Sequence, residues 1–170
     1  DIIKKEIKIY NVNSIVFIKV LHNTFYVQKI QQFNLDMKSD YLFVYGTLLK
    51  GFNSYMSKFL DKNAAFVGEG YFNGKLFEVS WYPGAVLSNI PSERVYGHVF
   101  KIDEYDKTFK ILDDYEGVGD ASTEYPNEFR RELIETFLND GTILRTWVYL
   151  YINPTEHLRL IASGDYLKES

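Results

Sequence analysis

From Tyr41 onward the apolar residues change their spacing in an order that admits few folds. Tyr41-Leu-Phe-Val-Tyr45 is an unbroken apolar run, the pattern of a central strand. A glycine-bounded loop, Gly46-Thr-Leu-Leu-Lys-Gly51, follows it. Asn53 is then placed to cap a helix running to about Asp61, with Phe52, Tyr55, Met56, Phe59 and Leu60 on one face. Ala65 to Gly70 reads as a short strand or turn, Tyr71 to Val79 as a strand, and Trp81-Tyr-Pro-Gly84 as a turn. Short apolar or alternating segments at Ala85 to Ser88 and Arg94 to Ile102 add strands. Asp103 is the expected N-cap of a second helix from Glu104 to about Asp113, facing inward through Tyr105, Phe109 and Leu112. Phe129 to Phe137 and Thr142 to Ile152 form a predicted hairpin around Asp140-Gly141, a type I′ turn signal, and Pro154 ends it. Strands outnumber helices, and the two helices do not alternate with them. That order predicts an α+β fold, a small mixed barrel-like sheet with flanking helices, rather than a doubly wound parallel sheet.

The first 36 residues read differently. They are rich in Ile, Lys, Asn, Phe, Tyr and Gln, and Glu6 to Tyr10 and Ile15 to Val20 alternate as strands do. Met37-Lys-Ser-Asp40 marks the expected start of the main domain, residues 37–170. Residues 1–36 are then an extension, either an extra strand pair packed on that domain or a segment with no part in its chemistry. Its most apolar stretch, Ile15 to Val27, is interrupted by Lys19, His22, Asn23 and Thr24, which fits neither a membrane span nor a secretory leader. A cytoplasmic protein is expected.

Composition removes whole classes of chemistry. The 170 residues include no cysteine and three histidines, and the formal charge is −4. Disulfides, thiolate nucleophiles and cysteine-held metals are excluded. His22, His98 and His157 are scattered, with no metal spacing among them. A net acidic chain argues against nucleic acid as a partner. The nucleophile-elbow pattern of serine hydrolases is absent.

Two segments remain as candidates. Tyr45-Gly46-Thr47-Leu48 follows the first main-domain strand, where glycine lets the backbone turn and successive N–H groups can hold a carboxylate or oxyanion. An ordinary strand-to-helix turn has the same pattern. Leu112-Asp-Asp-Tyr-Glu-Gly117 crowds three carboxylates at a helix end, and burial of Glu116 would tune it toward neutrality for acid–base work. A solvated acidic loop looks the same. Residue types alone leave both alternatives open.

The blocks taken in order resemble the gamma-glutamyl cyclotransferase superfamily, especially its AIG2-like branch, which includes gamma-glutamylamine cyclotransferase. The resemblance rests on Tyr41-Leu-Phe-Val-Tyr-Gly-Thr-Leu-Leu-Lys-Gly51, on Gly74 and Leu76, on Tyr82-Pro-Gly-Ala85 and on Val95-Tyr-Gly-His-Val-Phe100 with Ile102 and Asp103. It continues through Leu112-Asp-Asp-Tyr-Glu-Gly117, Phe129-Arg-Arg131, Trp147-Val-Tyr149 and Ser163-Gly-Asp-Tyr166. Phe129 departs from the family's tyrosine and Tyr166 from its tryptophan, which bears on substrate discrimination.

The resemblance implies an enzyme that closes a gamma-glutamyl amide onto its own alpha-amine, releasing 5-oxoproline and an amine or amino acid. Glu116 takes the role of general acid and base. The backbone of Gly46, Thr47 and Leu48 cradles the substrate, and Tyr45 and Tyr149 are candidate pocket walls, Tyr149 being equally readable as a strand residue packed in the core. Arg131 either anchors a ligand carboxylate or pairs with Asp113 and Asp114. No metal or other cofactor is implied, the partner is a small gamma-glutamyl compound, and a monomer or weak homodimer is expected. A non-catalytic binding module on the same fold, or a biosynthetic enzyme removing a gamma-glutamyl protecting group, are the competing expectations.

Overall fold

Strand β3 (Tyr41–Val44) is apolar throughout because both of its faces are covered. In the computed structural model, which describes residues 8–12, 15–19, 39–46, 48–49, 54–118 and 127–168, Leu42 and Val44 pack toward the helices. Phe43 and the following Tyr45 pack toward the opposite side. The chain divides into two units, Asp1–Lys38 and Ser39–Ser170. In the first, β1 (Lys8–Val12) and β2 (Ile15–Lys19) pair antiparallel, Lys8 opposite Lys19 and Val12 opposite Ile15.

The second unit carries the site. Its elements run β3, α1 (Tyr55–Asn63), β4 (Ala64–Glu78), β5 (Pro83–Leu87), β6 (Arg94–Ile102), α2 (Tyr105–Glu116), β7 (Phe129–Leu138), β8 (Ile143–Tyr151) and β9 (Arg159–Leu160). The strand order is β5-β4-β6-β3-β8-β7, with β9 on β4. The β3–β8 pair is parallel and the others are antiparallel, so the sheet is mixed. Gly70 and Tyr71 of β4 also pair with Leu138 and Phe137 of β7, which brings the two ends together into the expected barrel.

Strand β4 differs from the sequence expectation. The two pieces read across Ala65 to Val79 are one strand of 15 residues with an irregularity between Phe66 and Gly68. The division was read at Gly70. Gly70 instead serves the closure, because a Cβ there would lie 2.4 Å from the Phe137 carbonyl oxygen. The hairpin after β7 also differs. Gly141 N–H donates to Leu138 O at 3.0 Å and Leu138 N–H to Thr142 O at 2.8 Å, with Gly141 at φ 90°. That is a three-residue loop with glycine in its last position, not a two-residue turn.

Both helices pack on one side. Helix α1 begins at Ser54, whose side chain and that of Ser57 cap each other's backbone; the expected cap, Asn53, lies outside the described residues. Met56 and Leu60 are buried, whereas Tyr55 points to solvent, so the apolar face is narrower than its spacing suggested. Helix α2 buries Thr108, Phe109 and Leu112. Asp103 does not cap it. Its N–H is tied to Asn63 O at 3.2 Å, which keeps it at the strand end, and the helix starts after Glu104.

Inside the barrel, the Thr136 and Thr146 hydroxyls lie 2.6 Å apart and are fully buried. Thr146→Val leaves the Thr136 hydroxyl without this partner and is expected to cost roughly 1–3 kcal/mol. The double valine variant should recover much of that loss in urea denaturation. Simple addition of the two single losses would contradict the pairing.

Candidate active site

Helix α2 runs three residues past its expected end, and that extension makes the site. Positions 109, 112, 113 and 116 recur at intervals of three and four, so they share one helical face. Phe109 and Leu112 are buried on it against β3 and β8 residues. Glu116 continues the same face one turn on. Gly117 then stops the helix in the left-handed conformation, φ 66° and ψ 30°, with its N–H on Asp113 O. The acidic segment is thus the last helical turn rather than a solvated loop.

Glu116 opens into a cleft of about 700 Å³. The cleft lies among the end of β3, the turn before β5, the end of α2 and the start of β7. Burial removes water from the Glu116 carboxyl and raises its pKa from 4.5 to about 7. Its position at a helix C-terminus acts in the same direction. Its charge reaches the hydroxyls of Tyr45, Tyr82 and Tyr149.

The sequence-predicted residues fall into three groups. Tyr45, Gly46, Leu48, Glu116 and Tyr149 all line the cleft. Thr47 lies outside the described residues. Arg131 is not among the lining residues. Its Nη1 is 3.2 Å from Asp113 Oδ2, a charge contact without hydrogen-bond alignment at that nitrogen. Its guanidinium lies 4.3 Å from the Phe109 ring centroid and 5.0 Å from that of Trp147. Arg131 faces a second, smaller depression.

The two tyrosine hydroxyls are already engaged. Tyr45 donates to the Tyr149 carbonyl at 2.6 Å and accepts from Ala85 N–H at 3.2 Å, so one side chain ties β3 to β8 and β5. Burial, then the Glu116 charge, raise its pKa above the usual tyrosine range. Tyr149 donates to Asp113 Oδ1 at 2.8 Å, and burial followed by the Asp113 charge raises it likewise. Asp113 itself is raised by burial, with the Tyr149 hydroxyl and Arg131 pulling the other way. A polar chain therefore runs from Arg131 through Asp113 to the Tyr149 hydroxyl, and Tyr45 holds Tyr149 separately, at its backbone carbonyl. The loop at Gly46 is closed by Leu49 N–H donating to Gly46 O at 2.9 Å.

Sequence reading missed the opposite wall. Tyr82 donates its hydroxyl to Glu128, and burial with that bond raises its pKa to about 12. Trp81, Tyr115, Phe129 and Asn153 also line the cleft. The Trp81-Tyr82-Pro83 turn offered the one available signal, exposed aromatics beside a rigid bend. Glu128 carried none, since only the fold brings the start of β7 next to that turn. His98 lies in β6 opposite Val44 and Glu69, away from the cleft.

A small mixed barrel with a carboxylate at a helix end, facing a strand-to-helix loop across a cleft, defines the second unit as a barrel-like α+β fold. Residues 42–168 match the family described as gamma-glutamyl cyclotransferase, AIG2-like. The chain belongs to that family. The gamma-glutamylcyclotransferase family protein YtfP of Escherichia coli is 33% identical over 129 residues, 74% of this chain and 95% of that protein. A Methanocaldococcus jannaschii relative is 33% identical over 127 residues, 75% of this chain and 95% of its own length. The solution structure of E. coli YtfP is 30% identical with a TM-score of 0.51, covering 76% of this chain and 97% of that one. A mouse AIG2-like protein shares the fold at a TM-score of 0.58 and 22% identity, over 77% of this chain and 90% of that one.

The raised Glu116 pKa has a stability consequence with a definite sign. The folded protein holds a proton that the unfolded chain releases near pH 4.5, so stability falls as pH rises from about 4.5 to about 7. Glu116→Gln removes that dependence. The variant should be more stable than wild type at pH 8, by up to about 3 kcal/mol, and the two should converge near pH 4 in denaturant titrations. A variant less stable at pH 8 would contradict the burial of an ionisable carboxyl.

Proposed function

We propose that the protein cleaves gamma-glutamyl amides by internal cyclisation. The substrate's alpha-amine attacks its own gamma-carbonyl carbon, 5-oxoproline forms, and an amine or amino acid leaves. The observation that carries this reading is Glu116, a carboxyl inside the cleft with a pKa of about 7. A group with that value can accept a proton and return it at neutral pH.

The steps balance with one carboxylate. Ionised Glu116 takes a proton from the substrate ammonium, which frees the nitrogen lone pair. The new C–N bond forms, and the carbonyl electrons move onto oxygen. Gly46 and Leu48 line the cleft, and their backbone amides are the proposed donors to that oxyanion. Thr47, between them, is assigned the same role from its sequence position. Protonated Glu116 then gives its proton to the amide nitrogen, the carbonyl re-forms, the old C–N bond breaks, and the second proton of the ring nitrogen passes through Glu116 to the departing amine, which leaves as its ammonium. Both reacting atoms belong to one substrate, so the cleft has only to fold that substrate to gain a large entropic advantage. Tyr45 and Tyr149 shape the pocket, their hydroxyls being committed to the protein.

The test is release of 5-oxoproline from a panel of gamma-glutamyl amines and dipeptides. Wild type should release it, and Glu116→Gln should lower kcat by about 100-fold or more, the scale of positioned acid–base catalysis. With the carboxylate as the active form, kcat/KM should rise through about pH 7. Binding of the panel without turnover would instead assign the fold a ligand-binding role.

A further inference from the structure

Three hydroxyls border the Glu116 charge, and each has already given its proton elsewhere. They belong to Tyr45 at the end of β3, Tyr82 in the turn before β5 and Tyr149 in β8. A tyrosine hydroxyl has a single proton to donate. Tyr45 donates it to the Tyr149 carbonyl, Tyr82 to Glu128 just before β7, and Tyr149 to Asp113. Tyr115, the neighbour of Glu116 on α2, is exposed. No hydrogen bond lowers the Glu116 pKa among the described residues. A hydrogen bond given to a carboxylate favours its ionised form, so withholding one keeps the carboxyl basic.

The Tyr149 proton goes to a side chain of the same helix that carries Glu116. Asp113 stands one turn earlier on the same helical face. Its Oδ1 accepts the Tyr149 hydroxyl at 2.8 Å, and its Oδ2 lies 3.2 Å from Arg131 Nη1. Arg131 rests on the Phe109 and Trp147 rings, so both ends of this contact are anchored in the fold. Asp113 itself is not among the residues lining the cleft, whereas Tyr149 is.

We propose that Asp113 is a positioning residue: it takes the only proton of Tyr149, so that this hydroxyl offers the cleft lone pairs alone and cannot donate to Glu116. Glu116 then stays basic enough to accept the substrate ammonium proton at neutral pH. That kinetic role rests on the cyclisation reading, whereas the titration of Glu116 does not.

Carbon-13 titration of Glu116 in the ligand-free protein tests the proton assignment. In Asp113→Ala the freed Tyr149 proton turns to the Glu116 carboxylate, and the midpoint should fall from about 7 by about one pH unit. Adding Tyr149→Phe removes that donor and should restore the midpoint to about 7. A fall that persists in the double variant comes from the lost Asp113 charge or the released Arg131, and it overturns the proposal. An unchanged midpoint in Asp113→Ala overturns it too, as does a wild-type midpoint near 4.5. Tyr149→Phe alone serves if Asp113→Ala does not fold. The hydroxyl gives Glu116 nothing in wild type, so the midpoint should stay at about 7, and a rise overturns the proposal. The kcat/KM profile for 5-oxoproline release should move to lower pH in Asp113→Ala and return in the double variant. If wild type releases no 5-oxoproline, the cyclisation reading fails by itself, and the carbon-13 midpoints still decide the role of Asp113.

Discussion

Everything distinctive about this cleft follows from the packing of one face of helix α2 on the sheet. Phe109 and Leu112 are buried among residues of β3 and β8, and they fix the helix in rotation and depth. Helical periodicity then decides where Glu116 must go, one turn beyond Leu112 on the same face. A carboxylate that rides on an apolar face loses water. The fold accepts a destabilising group there, and its proton affinity is raised into the range useful at neutral pH. Structural stability and acid–base capacity pull against each other at this single residue.

The surrounding polar groups are tied into the fold. Tyr45 joins three strands through one hydroxyl, and Tyr149 joins β8 to α2 through Asp113. Arg131 neutralises Asp113 from the far side while resting on Phe109 and Trp147. Asp113 is one turn before Glu116 and faces the same way, yet its environment supplies two partners. Glu116 has no ion pair among the described residues. Two carboxylates on one helical face thus meet different environments.

How much of this was legible in the sequence depended on how local the cause was. The continuous apolar run at Tyr41 announced a strand covered on both sides, and β6 was readable residue for residue from its alternation. The acidic cluster left Glu116 open between a tuned carboxyl and a solvated loop, and the family resemblance singled it out; the expected helix end at Asp113 hid its place one turn after Leu112. Gly70 misled, since a glycine required by strand β7 is indistinguishable in sequence from one that ends a strand. Arg131 was readable either as a ligand anchor or as a partner of the Asp113 and Asp114 cluster, and its contact with Asp113 bears out the second. Glu128 and Tyr82, 46 positions apart in the chain, form a wall that exists only after the barrel closes.

Acid–base capacity in this cleft depends on the protonation of one carboxyl. Carbon-13 NMR of side-chain-labelled glutamate, with Glu116→Gln to assign the resonance, reads that titration directly in the ligand-free protein. A midpoint of about 7 for Glu116 is the predicted result. A midpoint near 4.5, the value of a glutamate in water, would mean that the end of α2 is solvated and that the cleft has no group poised for acid–base catalysis.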